Sequence, residues 1–327
     1  MSILLRGAVA LLALLSALAP AQADWQPTER INYLIGVAPG GTVDLYARGI
    51  KDQLDAQKLV NGQTVVAENK VGAGGVLALQ ALQQKAGNGH WLGTFHTGAI
   101  AGAVTGLIKA DVREFPPVAM MVEETSVVAV RADSPLKNAA DLVAALKANP
   151  ASQRIAVAPA LGQNTHLAIA KPLKVAGVAI DKLTIAPFRS SGESVTALIG
   201  GHVDVVSATA PVVVPQVAAG RLRIIATAAR ERGIGPLAEV KTWREQGVAA
   251  DYVSYNGVLL PPGATADQFK FWEAALKRVS QSPDWIAMVE KSGNKAIFRG
   301  HEDSMRYMQA EWKSALELAT ELGLAAK

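Results

Sequence analysis

Gly40, Gly41 and Thr42 lie where an apolar run, Ile31 to Val37, gives way to an amphipathic stretch carrying Val43, Ala47, Ile50 and Leu54 at helical spacing. A strand that ends in small residues and restarts as a helix leaves backbone N–H groups unpaired at the helix start, a surface suited to a carboxylate or other anion. Thr42 is the expected N-cap, Asp44 puts negative charge in the first helical turn, and the same pattern also serves an ordinary strand-to-helix turn. Groups for breaking bonds are scarce. There is no cysteine, and the five histidines, His90, His96, His166, His202 and His301, show no close metal-ligand spacing. No G-x-S-x-G elbow, Walker A loop or H-E-x-x-H helix occurs. Neither catalysis nor a metal or cofactor is expected.

Further small, polar turns follow other apolar runs. His96 and Thr97 come directly after the strand expected at Trp91 to Phe95; His96 could donate to a ligand or satisfy a backbone carbonyl. Gly162, Asn164 and Thr165 fall in the loop after Ile155 to Ala158, with His166 set either to cap and pack or to reach a ligand. Arg189, Ser190 and Ser191 follow Leu183 to Phe188, and Ser207 follows Val203 to Val206. Short hydroxyl and amide groups at strand ends orient a ligand without adding charge, while Arg189 could form a bidentate pair with a second carboxylate or remain a solvated surface cation. Asp44 and Asp204 read as turn-stabilising residues, since an anion site would not aim carboxylates at its ligand. Gly72, Gly74 and Gly75 suggest a dinucleotide fingerprint, but its sixth position is Leu77 and the pattern fails.

The elements that would carry these turns alternate strand and helix, which implies parallel sheets with every ligand-facing turn at the carboxyl ends of the strands. Strands are expected at 31–37, 64–68, 91–95 and 126–131, and a last helix at 302–322, with Trp312 and Leu316 sharing its core-facing side. A chain of 327 residues exceeds what one core usually supports, so two domains are expected. Residues 1–23 combine Arg6, an apolar run from Gly7 to Ala19 and Ala21-Gln22-Ala23, the pattern of a secretory signal peptide. Export to the periplasm follows, and the absence of cysteine excludes a lipid anchor on that residue. The net charge of +4 comes from scattered basic residues, and aromatic residues make up 5%, so neither a phosphate-tracking stripe nor a stacking platform for nucleic acid is present.

Taken in order, these segments resemble the substrate-binding receptors of tripartite tricarboxylate transporters, the TctC or Bug family. The resemblance is carried by PGGTVDLYAR (Pro39 to Arg48), ENKVGAGG (Glu68 to Gly75), GQNTHLA (Gly162 to Ala168), PFRSSGESVTALIGGHVDV (Pro187 to Val205) and YNGVLLPPGAT (Tyr255 to Thr265). It implies an α/β, type II periplasmic binding protein-like fold, with two domains joined by crossing strands and a ligand cleft between them. Domain one would comprise 24–125 and 228–281, domain two 126–227, and the C-terminal helices of 282–327 would pack across both. It further implies a monomer that binds a small carboxylate by backbone, hydroxyl and ordered-water contacts, closes about a hinge, and delivers the ligand to membrane transporter subunits. Presentation to a sensor kinase is the alternative, and an exported enzyme a more distant one. The residues that would line the cleft are Val37, Ala38, Gly40, Gly41, Thr42, Gly74, His96, Thr97, Gly162, Asn164, Thr165, Arg189, Ser190, Ser191 and Ser207. The chain departs from the family pattern beside that cleft: Val37-Ala38 stands where phenylalanine-proline is common, and Tyr255-Asn256 replaces a pair of aromatic residues.

Overall fold

In the computed structural model residues 25–72 and 75–326 are described; the expected signal segment and Gly74 lie outside them. The first half opens with β1 (Ile31–Ile35), α1 (Thr42–Ala56), β2 (Val65–Asn69), α2 (Val76–Gln83), β3 (Trp91–His96) and α3 (Thr97–Val104). β1 runs parallel to both β2 and β3. Its Ile31, Tyr33 and Ile35 are fully buried, as expected of a strand covered on both faces. Helix α1 lays Tyr46, Ala47, Ile50 and Leu54 onto one face of this sheet.

The chain then crosses on β4 (Pro117–Arg131). From Pro117 to Thr125 this strand pairs with β9 (Val253–Leu259), and β10 (Lys295–Arg299) also joins it there; from Ser126 to Arg131 it pairs with β7 (Val205–Thr209) and β8 (Leu222–Thr227). One strand thus belongs to both halves and changes neighbours between Thr125 and Ser126. The sequence shows only its second part, because Glu123-Glu124 interrupts the apolar run; its burial on both sides makes the remainder strand. The second half adds α4 (Ala139–Ala148), β5 (Arg154–Val157), α5 (Asn164–Val175), β6 (Thr184–Pro187), α6 (Ser191–Ile199) and α7 (Ala210–Ala218), with β6, β5 and β7 side by side and parallel.

The chain returns beside its crossing point: Ala228 N–H donates to Ser126 O at 2.9 Å and Tyr252 N–H to Ala228 O at 2.8 Å. The connecting stretch 228–252, expected in the first half from the sequence, packs with the second. Leu237 and Trp243 are fully buried there, and Val248, Ala250 and Tyr252 join the same side chains. After β9 come α8 (Ala266–Ser280), α9 (Pro283–Glu290) and α10 (His301–Glu321). A reciprocal capping box of Thr265 and Gln268 starts α8. Helix α9 buries Trp285 and Val289 in the first-half core. Helix α10 spans both cores, placing Met308 in the first half and Ala315, Leu318 and Ala319 in the second. Trp312 packs against both cores, whereas Leu316 is 41% exposed and does not share its burial.

Candidate ligand cleft

Five helices of the described residues begin at one cavity of about 710 Å³ between the halves: α1 and α3 from the first, α5, α6 and α7 from the second. Each N-terminus carries roughly half a positive charge and N–H groups with no acceptor inside the helix. The sheet topology brings them together, because every parallel strand delivers its following helix at the same end.

At the first turn Gly40 adopts φ +81, a left-handed angle that side chains rarely tolerate, while Gly41, not Thr42, is the N-cap and has ordinary extended geometry (φ −79, ψ 167). Asp44 is buried and holds this turn: its carboxylate accepts from Gly40 N–H at 2.9 Å, Asn69 Nδ2 at 2.8 Å and Arg48 Nε at 3.0 Å. Burial works to raise its pKa, but these hydrogen bonds and the Arg48 charge outweigh it and keep the carboxyl below its ordinary value. The Gly40 N–H is therefore committed, and the N–H groups that follow it are the ones a ligand can use. Val37, Ala38, Gly40, Gly41 and Thr42 all line the cavity.

His96 lines the cavity at the N-cap of α3, and burial drives its pKa down to about 4, so the ring is neutral at neutral pH. Gly98 allows this: a Cβ there would stand 3.0 Å from His96 Nδ1. Thr97 lines the cavity too, but its hydroxyl already accepts from Tyr255 N–H at 2.8 Å and contacts Tyr307 Oη at 2.9 Å.

From the second half come Asn164, Thr165, Arg189, Ser190 and Ser191. Ser254 Oγ donates to Asn164 Oδ1 at 2.9 Å, a link between the halves, and Thr165 Oγ1 is tied to both Ala158 O (2.7 Å) and Ala158 N–H (2.9 Å). Ser190 caps α6 by accepting from Glu193 N–H at 3.2 Å, and Arg189 is exposed. Two expected residues are not brought to the cavity wall. Ser207 is buried with its hydroxyl donating to Thr165 O at 2.7 Å, and Gly162 sits behind the loop, its N–H donating to His166 Nδ1 at 2.8 Å. His166 is itself buried, with its pKa pushed down to about 4. Asp204 is a clamp: its carboxylate receives Arg154 N–H at 2.8 Å and both arms of the Arg154 guanidinium, which hold it below the ordinary carboxylate range.

The lining also contains residues that the sequence did not single out: Leu45, Gln163, Thr209 and, above all, Glu124. Glu124 is 6% exposed, accepts from Asn256 Nδ2 at 3.2 Å through one oxygen and has no partner on the other. Burial raises its pKa to about 7. A signal was present: two acids between the apolar runs VAMMV and VVAV of the segment VAMMVEETSVVAV.

Residues 47–324 match the model of the tripartite tricarboxylate transporter family receptor, TctC. The chain belongs to that family. The receptor is 29% identical over 319 residues to a protein of Cupriavidus necator described as the UPF0065 protein in the gbd 5' region, covering 97% of this chain and 95% of that one. Among solved structures it is similar to a Rhodopseudomonas palustris protein with adipate (24% identity, TM-score 0.78, 92% of this chain and 99% of that one). It is also similar to MatC from the same organism with bound malate (24% identity, TM-score 0.73, 89% and 99%). The fold is the mixed α/β architecture of type II periplasmic binding proteins. The family is one of periplasmic solute-binding receptors, not of enzymes. Among the described residues no helix is long and apolar enough to cross a membrane.

Proposed function

We propose that the receptor captures a small organic acid in the cleft between its halves, closes over it, and hands it to the membrane subunits of a tripartite tricarboxylate-type transporter. Residues 1–23 direct its export. The observation that carries this reading is the convergence of five helix N-termini on one cavity of about 710 Å³, a volume within the range of small-molecule sites. The ligand carboxylate is held by the N–H groups that open α1 and α3, from Gly41 and Thr42 across to Thr97, and by those of α5 and α6 with Asn164, Ser190 and Ser191. Arg189, exposed at the rim, suits a second acidic group in a longer ligand. The malate and adipate held by the two R. palustris proteins are acids of this kind.

A thermal-shift panel of organic acids, amino acids and sugars, followed by calorimetry, tests it. A ligand at one hundred times its dissociation constant stabilises the folded state by about 2.7 kcal/mol, which moves Tm by several degrees in a chain of this size. Carboxylates should shift the transition; shifts from sugars alone would overturn the reading.

A further inference from the structure

A cleft framed by helix N-termini is expected to hold no buried acid, yet Glu124 lies in its wall, one residue before β4 changes neighbours. Its Oε2 is matched by the Asn256 amide, and its Oε1 is buried without a partner. Asn256 Oδ1 is likewise buried and unpartnered, so two acceptor oxygens of this pair stand without a donor. The other titratable group that acts on this corner is the Tyr46 phenol of α1, whose oxygen accepts from Asn294 Nδ2 at 2.6 Å. Along the cavity wall His96 is neutral and Arg189 stands exposed at the rim. The cleft therefore has two poles, N–H groups that favour an anion and a buried carboxyl oxygen that lacks a donor.

We propose that Glu124 determines specificity in this cleft by receiving an ammonium group, so that the ligand is a zwitterion, an organic acid bearing an amine beside its carboxylate. This deepens the carboxylate reading above and rests on it. An unsubstituted acid would present only C–H groups to Oε1 and leave a buried acceptor unpaired next to the ligand's own charge. A hydroxyl would satisfy the oxygen but not its charge. An ammonium does both, and each half of the ligand then meets the pole of opposite sign. The departure of this chain from its family at Asn256 belongs to the same device, because that amide orients the carboxyl.

Calorimetry on the full mature chain with matched sets (succinate, malate and aspartate; glutarate, 2-hydroxyglutarate and glutamate; propionate, lactate and alanine) reads the preference directly. On the carbon skeleton that fits best, the amino acid should bind at least tenfold more tightly than both partners. Glu124→Gln should abolish that preference while binding the unsubstituted acid as well as or better than the wild type, a pattern that general damage to the fold cannot produce. Repeating the wild-type titrations at pH 7 in buffers of different ionisation enthalpy gives a readout that needs no variant. The ammonium ligand should release protons, because it favours ionised Glu124, whereas an unsubstituted acid should take them up. Equal affinity across a set, a preference retained in Glu124→Gln, or proton uptake with the amino acid would overturn the proposal while leaving the carboxylate receptor intact. Binding of sugars alone would instead remove both readings.

Discussion

Replacing Glu124 by glutamine should make the empty receptor more stable as the pH rises, relative to the wild type. The carboxyl has its pKa raised from 4.5 to about 7 in the folded chain, because burial disfavours the charged form more than the single Asn256 hydrogen bond favours it. Between these two values the folded state keeps a proton that the unfolded chain has released. The stability this group allows is therefore fully present below pH 4.5 and is lost as the pH climbs through 7. The gap between 4.5 and about 7 corresponds to about 3 kcal/mol. Glutamine has no such dependence, so the stability of Glu124→Gln minus that of the wild type should grow by about 3 kcal/mol between pH 4.5 and pH 8. The difference has to be taken, since other groups mask it in either protein alone. Glu311, also raised to about 7, acts in the same direction, while His96 and His166, lowered from 6.5 to about 4, lose stability in the opposite one, as the pH falls from 6.5 to 4. All three are common to both proteins and cancel. Urea unfolding of ligand-free protein at pH 4.5, 6 and 8, extrapolated linearly, measures the difference. A gap that stays constant across the series would show that Glu124 is ionised at low pH in the folded chain, and the account of its burial would be wrong.

Two further outcomes bear on the cleft. Gly41→Val should weaken binding of the best carboxylate at least tenfold with little change in Tm, because Gly41 has an ordinary backbone angle and a Cβ there meets only Ala38 O at 3.6 Å, so the change crowds the ligand rather than the fold; unchanged affinity in calorimetry would move the anion site away from α1. Small-angle scattering should show a smaller radius of gyration at saturating ligand, as the halves turn about the Thr125–Ser126 crossing; an identical profile at proven saturation would remove closure from the mechanism.

Local chemistry that depends on neighbouring residues was legible in the sequence. The β1 turn and the role of Asp44 as a turn clamp follow from spacing within a dozen residues, the start of α1 to within one residue, and so do the strand ends that carry His96, Asn164 and Arg189. What escaped depends on long-range packing. Hydroxyls expected to face a ligand, those of Thr97 and Ser207, are instead consumed by backbone groups that only the tertiary fold brings near, while that of Thr165 folds back on Ala158 of its own loop. The same holds for 228–252, whose irregular pattern hides that Trp243 and Leu237 fill the second half. Glu124 is hidden for a different reason: an acid is foreign to an anion site, although the interruption of a buried strand by Glu123-Glu124 marks a side chain that needs a donor.

The shared strand β4 has a mechanical corollary. Where two bodies swing on a common torsion bar, points far from the axis sweep wide arcs and points on it scarcely travel. The N-termini of α1 and α6 stand on opposite walls and would change their separation in the proposed closure, whereas Glu124, adjacent to the place where β4 passes from one set of neighbours to the other, would lie close to the axle. The reading head of the cleft would thus stay in register with the open and the shut molecule alike. A solute could be inspected at that fixed point before the jaws commit, with the moving walls left to retain what has already been accepted.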